Sequence, residues 1–325
     1  MTALDQTDTA QSRGILLLIL AMVLISINDM LIKGLSDRFP LHQIVLIRSM
    51  VAIVLTMVFI RWEGGFRILR TDRPWLHAFR ALLLVGANLF YFAALATLPL
   101  AEANALFFVA PILITLLQIP ILRVQVGPRR ILAVLAGFLG VLVILGPGIA
   151  GGAGNLPLWA LLLPLAAASC YALMQVLTRL LGAKSAASAM AFYVQGTFIL
   201  VGLGFGFIAG DGRYAEGLDN PSLLFLLRPW IWPGPSDWLL LVSIGLFIAV
   251  VGYAIAQAYR ISDPATIAPF EYTALPLAVL WGVLFFDDIP GPETLLGIVL
   301  IAGAGIFVVL RERRLGNPPP KGPLR

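Results

Sequence analysis

Charged residues are scarce in this 325-residue chain: Asp, Glu, Lys and Arg together make up 12% of it, whereas apolar residues make up 60%. The mean hydropathy of +0.95 exceeds what a soluble domain of this length needs for its core. The shortage of charge therefore excludes an ordinary soluble protein and predicts an all-α integral membrane protein.

Histidine and cysteine are nearly absent as well, which removes several chemistries. The two histidines, His42 and His77, fall on opposite sides of the predicted membrane, so neither a histidine zinc site nor a Ser-His dyad is easily built. Cys170 is the only cysteine, so an internal disulfide is impossible. No GxxxxGK[ST] phosphate loop occurs, which argues against ATP-driven transport by this chain alone. We expect no enzyme activity, no metal and no cofactor.

Apolar runs long enough to cross a membrane occur ten times. Spanning a hydrocarbon core of ~30 Å takes a helix of about 20 mostly apolar residues. The first run is too long for a signal peptide, and Lys33 follows it where small cleavage-site residues would be expected, so this run should stay in the membrane. The ten predicted spans are residues 14–33, 42–60, 77–98, 102–122, 131–147, 158–180, 186–208, 238–259, 264–286 and 294–310.

The basic residues predict the orientation of these spans. Seventeen of the 22 Lys and Arg residues lie on the side of the N-terminus, four lie on the other side, and Arg48 lies within a span. Cytoplasmic segments carry an excess of Lys and Arg, so both termini are predicted to be cytoplasmic. The net charge of +5 then reflects topology and contact with lipid rather than nucleic-acid binding.

An internal repeat relates the two halves of the chain. The stretches ALATLPLAEANALFFVAP (94–111) and YRISDPATIAPFEYTALP (259–276) align at an offset of 165 residues, which pairs Pro111 with Pro276. Each stretch links the third and fourth spans of a five-span half. Because five is odd, the second half has to lie upside down relative to the first. Inverted repeats of this kind are typical of secondary transporters, which bind substrate near the midplane between the halves.

The chain resembles the EamA family of the drug/metabolite transporter superfamily over about residues 14–312. The resemblance rests on the two five-span halves, the small-residue segments that end in proline in spans four and nine, GFLGVLVILGP in span five, and FFDDIPGPETLLGIVLIAGAG. Within the family, SINDMLIKGLSDRFPLHQIVLIRS, RPWLHAFRALLL and DPATIAPFEYTALP are similar to a bacterial subgroup that includes S-adenosylmethionine uptake and riboflavin transporters. The resemblance implies a multi-pass protein of the bacterial inner membrane.

The predicted organisation follows the repeat. A cytoplasmic N-terminus (1–13) precedes a first repeat (14–148), and a second repeat (158–312) precedes a cytoplasmic tail (313–325). The outer loop 209–237 is longer than is usual in the family, so it is either an interfacial cap or padding.

Charged side chains within the first two spans are the first candidate site. At 1.5 Å per helical residue, Asp29 lies roughly 6–9 Å from the outer boundary and Arg48 roughly 9 Å. Burying either charge alone in lipid costs at least ~2.5–3.5 kcal/mol, so both should face the bundle interior. They either pair and hold the two helices together or form a substrate or proton site. Lys33 is expected to reach interfacial water.

Glu271 is the second candidate. It lies in span nine between Pro269 and Pro276, which cannot donate backbone hydrogen bonds and so free carbonyls that can line a cavity. The hypothesis is a proton-coupling or substrate-binding carboxylate. The alternative is a structural pair with Arg260.

Polar side chains at helical spacing extend these sites. The alternative for each is a hydrogen bond between helices, worth ~0.6 kcal/mol on average. The remaining substrate or ion candidates are Asn88 and Tyr91 in span three, Tyr171 and Gln175 in span six, and Tyr253 and Gln257 in span eight.

Together these observations predict a secondary active transporter that moves a small polar or zwitterionic metabolite by alternating access. A metabolite or drug exporter of the same fold, a membrane sensor or scaffold without flux, and an intramembrane enzyme are the alternatives. The expected partners are a small-molecule substrate, protons and membrane lipid, and the protein is expected to be a monomer or a homodimer.

Overall fold

The structure is a computed structural model, and it describes residues 3–71, 73–123, 128–150, 156–181, 187–261 and 268–314. These residues form helices joined by short turns, and they contain no strand. The prediction of an all-α protein is therefore confirmed. The helices are α1 (Ala3–Leu35), α2 (Leu41–Glu63), α3 (Pro74–Leu95), α4 (Leu100–Phe107), α5 (Ala110–Leu122), α6 (Pro128–Ala150), α7 (Leu158–Leu181), α8 (Ala187–Ala209), α9 (Pro221–Leu227), α10 (Pro235–Ile261), α11 (Ala274–Phe286) and α12 (Pro292–Arg314), with 3-10 helices at Phe66–Leu69 and Ala268–Thr273.

Seven of the described helical segments are long and apolar enough to cross a membrane. They are Ser12–Leu35, Leu41–Glu63, Pro74–Leu95, Leu100–Leu122, Leu158–Thr178, Ser188–Ala209 and Pro235–Ile255. Three shorter apolar helices accompany them, at Ile131–Pro147, Phe270–Phe286 and Pro292–Phe307. The chain is therefore a multi-pass membrane protein. Residues 264–267 of the predicted ninth span lie outside the described residues.

Two of the predicted spans are broken near their middle. Helix α4 ends at Phe107, and α5 begins at Ala110, after two intervening residues, with Pro111 in its first turn. In the second half, a 3-10 helix ends at Thr273 and α11 follows with Pro276 in its first turn. A proline ring clashes with the carbonyl of the residue four positions earlier and donates no hydrogen bond, so a continuous α-helix cannot pass through either position unstrained.

The bundle is held by long pairwise helix contacts. Helix α3 packs on α7, α1 on α10, α2 on α8 and on α10, and α6 on α12. The backbones of α6 and α12 approach closely, because a Cβ added at Gly140 would lie 3.0 Å from the carbonyl oxygen of Gly297. Large apolar side chains such as Phe207 and Leu132 point outward and are exposed, as a surface in contact with lipid requires.

A structured cap covers one end of the bundle. It consists of residues 210–234 and includes the short helix α9, whose Phe225 is fully buried. Ser222 donates a 2.6 Å hydrogen bond to the carbonyl of Ala93, at the end of α3. Gln43, at the start of α2, exchanges hydrogen bonds of 2.7 and 3.2 Å with the backbone of Ile231. The long loop is therefore a cap rather than padding.

Two further contacts fasten the cap to the turn after α1. Arg228 donates to the carbonyl of Ser36 at 2.9 Å, and Arg38 forms a 3.0 Å ion pair with Asp237 at the start of α10. We call the end of the bundle formed by residues 36–40, 96–99, 210–234 and 287–291 the capped end.

Candidate functional site

Asp29 lies at the centre of a buried hydrogen-bond network between three helices. Its carboxylate accepts a 3.0 Å bond from the Asn28 amide and a 3.0 Å bond from the Tyr91 hydroxyl of α3. The amide of Asn104, on α4, donates to the Tyr91 oxygen at 2.8 Å and to the Leu100 carbonyl at 3.2 Å. We call Asn28, Asp29, Tyr91 and Asn104 the Asp29 cluster. It ties α1, α3 and α4 together beside the break before α5.

Arg48 lies nearby but does not pair with Asp29. Its guanidinium donates a 3.0 Å hydrogen bond to Asn88 on α3, and it lies over the rings of Phe92 (5.7 Å) and Phe198 (5.2 Å). The side chains of Arg48 and Asp29, both described, form no ion pair within 4 Å, although their opposite charges still attract. Of the two alternatives for these residues, the direct ion pair is therefore wrong, and the substrate or proton site stays a prediction.

The spacing on α3 explains this separation. Asn88 and Tyr91 are three residues apart, so they lie on one face of α3 and reach neighbouring points of the bundle. Asn88 binds the cation and Tyr91 binds the anion, which leaves the two charges apart. Arg48 is 2% exposed, and among the described residues its Nε and Nη1 groups have no hydrogen-bond partner. Both charges are thus buried, but only Arg48 leaves donor groups unused, because each carboxylate oxygen of Asp29 accepts a hydrogen bond.

The candidates from the second half form a separate group on the other side of Phe107. Gln175 donates a 2.7 Å hydrogen bond to the Tyr171 hydroxyl on α7, and Glu271 lies near enough to Tyr171 to interact with it electrostatically. The Phe107 ring lies 5.2 Å from the Tyr91 ring and 5.5 Å from the Tyr171 ring. The structure therefore connects the Asp29 cluster to Tyr171, Gln175 and Glu271 through one aromatic side chain at the helix break.

Two candidates on α10 lie apart from these groups. The Tyr253 ring stacks on Phe59 at 4.7 Å and is 42% exposed, so it faces the side of the bundle. Gln257 is half-buried one turn further along the same helix. Within the described part of the chain, no contact links either residue to the Asp29 cluster. The side chain of Arg260, the predicted alternative partner of Glu271, lies outside the described residues.

Lys33 differs from its predicted role. Its ammonium does not extend into interfacial water but donates to the carbonyl oxygens of Leu95 (3.2 Å) and Leu98 (2.6 Å) at the end of α3. It also lies 3.8 Å from the carboxylate of Asp288, in the turn between α11 and α12. The lysine is thus bound at the capped end, where these carbonyls have no further helical partner.

Glu102 is a buried polar residue that was not among the predicted site residues. It is buried near the start of α4, and its carboxylate accepts a 2.8 Å hydrogen bond from Thr294 on α12. The signal was a carboxylate and an amide, Glu102 and Asn104, within the otherwise apolar stretch LAEANALF. Lys33 and Asp288 both act electrostatically on Glu102. Burial raises the pKa of Asp288 from its ordinary value, and Lys33 opposes this rise.

The described surface also carries an apolar groove between α2 and α10. It has a volume of about 420 Å³, and its walls include Met50, Val54 and Trp238, all exposed on the side of the bundle. Such a wall offers no polar group to a polar solute, so the groove is unlike a metabolite site. The polar groups that could bind a solute lie in the interior instead.

Comparison with known proteins agrees with this architecture. The model of the EamA-like transporter family matches residues 12–146. The riboflavin transporter of Vibrio cholerae is 30% identical over 278 residues, which cover 85% of each chain. The S-adenosylmethionine uptake transporter of Rickettsia prowazekii is 25% identical over 301 residues, covering 93% of this chain and 94% of its own. A solved crystal structure aligns with a TM-score of 0.62 and 22% identity over 95% of this chain and 99% of its own, which shows a shared fold.

These similarities define the class as multi-pass bacterial membrane transporters. The chain belongs to the EamA-like transporter family, within the drug/metabolite transporter superfamily.

Proposed function

We propose that the protein is a secondary active transporter that moves a small polar or zwitterionic organic metabolite across the bacterial inner membrane by alternating access. The observation that carries this proposal is the symmetry of its helix packing. A carrier of this type needs two similar halves that can move against each other around a central site.

The most extensive helix contacts are unchanged when the first five predicted spans are exchanged for the last five. The contact of α1 with α10 becomes that of α7 with α3, and the contact of α2 with α10 becomes that of α8 with α3. The contacts of α2 with α8 and of α6 with α12 convert into themselves. This symmetry supports ten spans arranged as two five-span repeats, and an odd number of spans in each repeat implies inversion.

The orientation that we propose places the capped end outside the cell. Arginines are concentrated at the other end of the bundle, where Arg61 lies in the last turn of α2 and Arg67, Arg70 and Arg73 lie between α2 and α3. An excess of bases marks cytoplasmic segments. In this orientation, the contacts of the cap and of Lys33 hold the helix ends together on the outer side of the membrane. We therefore assign the structure to an outward-closed state.

The candidate solute site is the pair of buried charges with the polar residues around it. Asp29 and Arg48 are held apart on α1 and α2, and the unused donors of Arg48 could bind an anionic group of a zwitterion. Asp29 would bind a cationic group by exchanging its present partners, Asn28 and Tyr91. Riboflavin and S-adenosylmethionine, which the named relatives transport, are organic metabolites of the proposed class. The site comprises Asp29, Arg48, Asn88, Tyr91, Tyr171, Gln175 and Glu271, with Tyr253 and Gln257 as peripheral members.

Glu271 is the proposed group for proton coupling or for binding a substrate amine. It lies in the 3-10 helix of the second broken span, half-buried and within electrostatic range of Tyr171 and Tyr272. A carboxylate at a helix break, where the α-helical hydrogen bonding is interrupted, can change its surroundings as the two halves move.

Uptake into proteoliposomes tests the proposal. The full-length protein would be reconstituted and supplied with radiolabelled riboflavin or S-adenosylmethionine, with and without a proton gradient, and empty liposomes would serve as the control. The proposal predicts saturable flux that exceeds the control, together with counterflow exchange when unlabelled solute is preloaded. Absence of saturable flux and of counterflow for both solutes and for a panel of amino acids and vitamins would contradict a carrier and favour a sensor or scaffold.

A further inference from the structure

A charged cluster at the capped end joins the ends of several helices. Lys33, on α1, binds the last carbonyls of α3 and faces Asp288 between α11 and α12. Glu102, on α4, accepts a hydrogen bond from Thr294 on α12. We call Lys33, Glu102, Asp288 and Thr294 the latch cluster. Under the proposed inverted repeat, it joins the first half of the protein to the second.

The latch cluster contains more negative than positive charge. One ammonium, on Lys33, faces two carboxylates, on Glu102 and Asp288. The ion pair between Lys33 and Asp288 is 3.8 Å long, which exceeds a hydrogen bond. The other charged groups that act on the cluster are Asp37, near Lys33, and Asp287, near Asp288, and both are acidic. The described groups facing the cluster therefore leave an excess of negative charge.

Glu102 is the member in which one more proton would be best accommodated. Glu102 as a whole residue is 6% exposed, whereas the side chain of Asp288 is 27% exposed. Thr294 donates to one carboxylate oxygen of Glu102, and the other oxygen is buried with no hydrogen-bond partner among the described residues. Oδ2 of Asp288 is also buried without such a partner, but it lies 3.8 Å from the Lys33 ammonium, which compensates its charge. The start of α4 favours a negative charge, but this effect is smaller than the cost of an ionised oxygen that is buried and unbonded.

We propose that Glu102 is a proton-binding site that latches the capped end of the transporter shut. A proton from the solution at that end neutralises Glu102, so that Lys33 and Asp288 balance each other and the helix ends stay together. Loss of the proton restores the negative excess and favours separation of α1, α4 and α12. The inference rests on the proposed function, because only a carrier that alternates between closed and open ends has use for such a latch.

Thermal unfolding of the full-length protein in detergent tests the proton site. Wild type, Glu102→Gln and the control Glu293→Gln, an exposed carboxylate at the start of α12, would be compared from pH 5 to pH 8 in sodium-free buffer. Because the proton stabilises the closed state, the Tm of wild type should match that of Glu102→Gln at acidic pH and fall below it as the pH rises. The control should follow wild type. A Tm difference between wild type and Glu102→Gln that is constant over this range would overturn the proposal.

Cysteine accessibility tests the latch itself. Ala103 is fully buried next to Glu102, so Ala103→Cys in a Cys170→Ala background reports opening of the capped end to a membrane-impermeant thiol reagent. The labelling rate of this variant is divided by the rate of the same variant with Glu102→Gln added. This division removes the pH dependence of the thiol reaction itself. This ratio should rise with pH by up to about tenfold per unit above the midpoint at which Glu102 releases its proton. A ratio that does not change with pH would overturn the latch. A complete absence of labelling at every pH would overturn it as well.

Neither measurement uses a transported solute. A negative uptake experiment with a positive result here would leave the proton site standing while removing the transport proposal. The reverse combination would remove the latch alone.

Discussion

The two broken spans, α4 with α5 and the 3-10 helix with α11, have similar backbone geometry but different polar side chains. Helices α5 and α11 are each 13 residues long, and both begin after a residue in right-handed helical geometry. Both also end at a non-glycine residue with a left-handed backbone, Arg123 and Asp287, each with φ of 54°. The polar side chains differ, because the first break adjoins Asn104 and Glu102 whereas the second carries Glu271 and Tyr272.

The fold therefore repeats the backbone geometry of the break, whereas the polar side chains at the break are particular to each half. A break at the same place in both halves provides two points where backbone groups can face the interior. In the carrier that we propose, different side chains at the two points would make the two ends of the transport path chemically distinct. In this proposed carrier, the repeat would supply the symmetry of motion, and the side chains would supply its direction and coupling.

Removing the charge from the second broken span is the change with the largest expected effect on transport. Glu271→Gln keeps shape and hydrogen-bonding ability but removes the titratable charge, so folded yield should be kept while gradient-driven accumulation is lost. Counterflow exchange should survive if Glu271 only carries the proton, and should vanish if it binds a cationic substrate. Glu293→Gln, at an exposed position, serves as the control. Normal accumulation with unchanged pH dependence would leave Glu271 with a structural role.

Removing the hydroxyl that links α1, α3 and α4 beside the first broken span should cost less. Tyr91→Phe leaves the Asp29 carboxylate and the Asn104 amide each short of a buried hydrogen bond, at about 1–3 kcal/mol in unfolding free energy. The double variant with Asp29→Asn should lose less than the sum of the two single variants, because both changes act on one network. Tyr253→Phe, on the exposed side of α10, should change stability by less than about 0.5 kcal/mol. Additive losses would show that Asp29 and Tyr91 act separately.

Helices α6 and α12, the last spans of the two proposed repeats, offer a test of packing with a matched control. Gly297→Ala places a Cβ 2.9 Å from the carbonyl oxygen of Gly140, a backbone atom that cannot turn away, and should lower stability by about 1–3 kcal/mol. Gly303→Ala, on the same helix, meets nothing within 4 Å and should be neutral or slightly stabilising. Equal Tm values for the two variants would contradict the close approach of α6 and α12.

The ion pair between Arg38 and Asp237 at the cap should matter least. The Arg38 side chain is 64% exposed, and Asp237, whose side chain is 6% exposed, also accepts a 3.0 Å hydrogen bond from the Gly234 amide and so keeps a partner when Arg38 is replaced. Exposed pairs contribute about 0–1 kcal/mol, and salt screens them. Arg38→Gln should therefore lower Tm slightly at low ionic strength and have no effect at high salt. A large, salt-independent loss would mean that the cap depends on this contact more than its burial implies.

The sequence predicted the helices well, because each membrane span is a continuous run of apolar residues and depends little on distant parts of the chain. Each of the ten predicted segments contains a helix in the described residues, and the all-α membrane class follows from composition alone. The prolines at positions 111 and 276 were visible, yet spans four and nine were predicted as unbroken. Whether a proline bends a helix or ends it depends on the neighbours that take up the freed carbonyls, and these lie on other helices.

The side-chain contacts were less predictable. Depth along each helix was sufficient to bring Asp29 and Arg48 to the same level, but not to show that α3 would supply a separate partner to each. Lys33 was expected in water because its carbonyl partners, at Leu95 and Leu98, are more than 60 residues away in the chain. Helix rotation and long-range turns decide such contacts, and hydropathy carries little information on either.

Cysteine labelling at the matching ends of the two broken spans tests the inverted repeat most directly. Arg123→Cys and Asp287→Cys would be made separately in a Cys170→Ala background, and a membrane-impermeant reagent would be applied to right-side-out and inside-out vesicles. Both positions are exposed and close the same 13-residue helix in their halves. The inverted repeat predicts that they label from opposite sides, with Arg123→Cys reached from the cytoplasm. Labelling of both from the same side would contradict the inversion and the alternating-access account built on it.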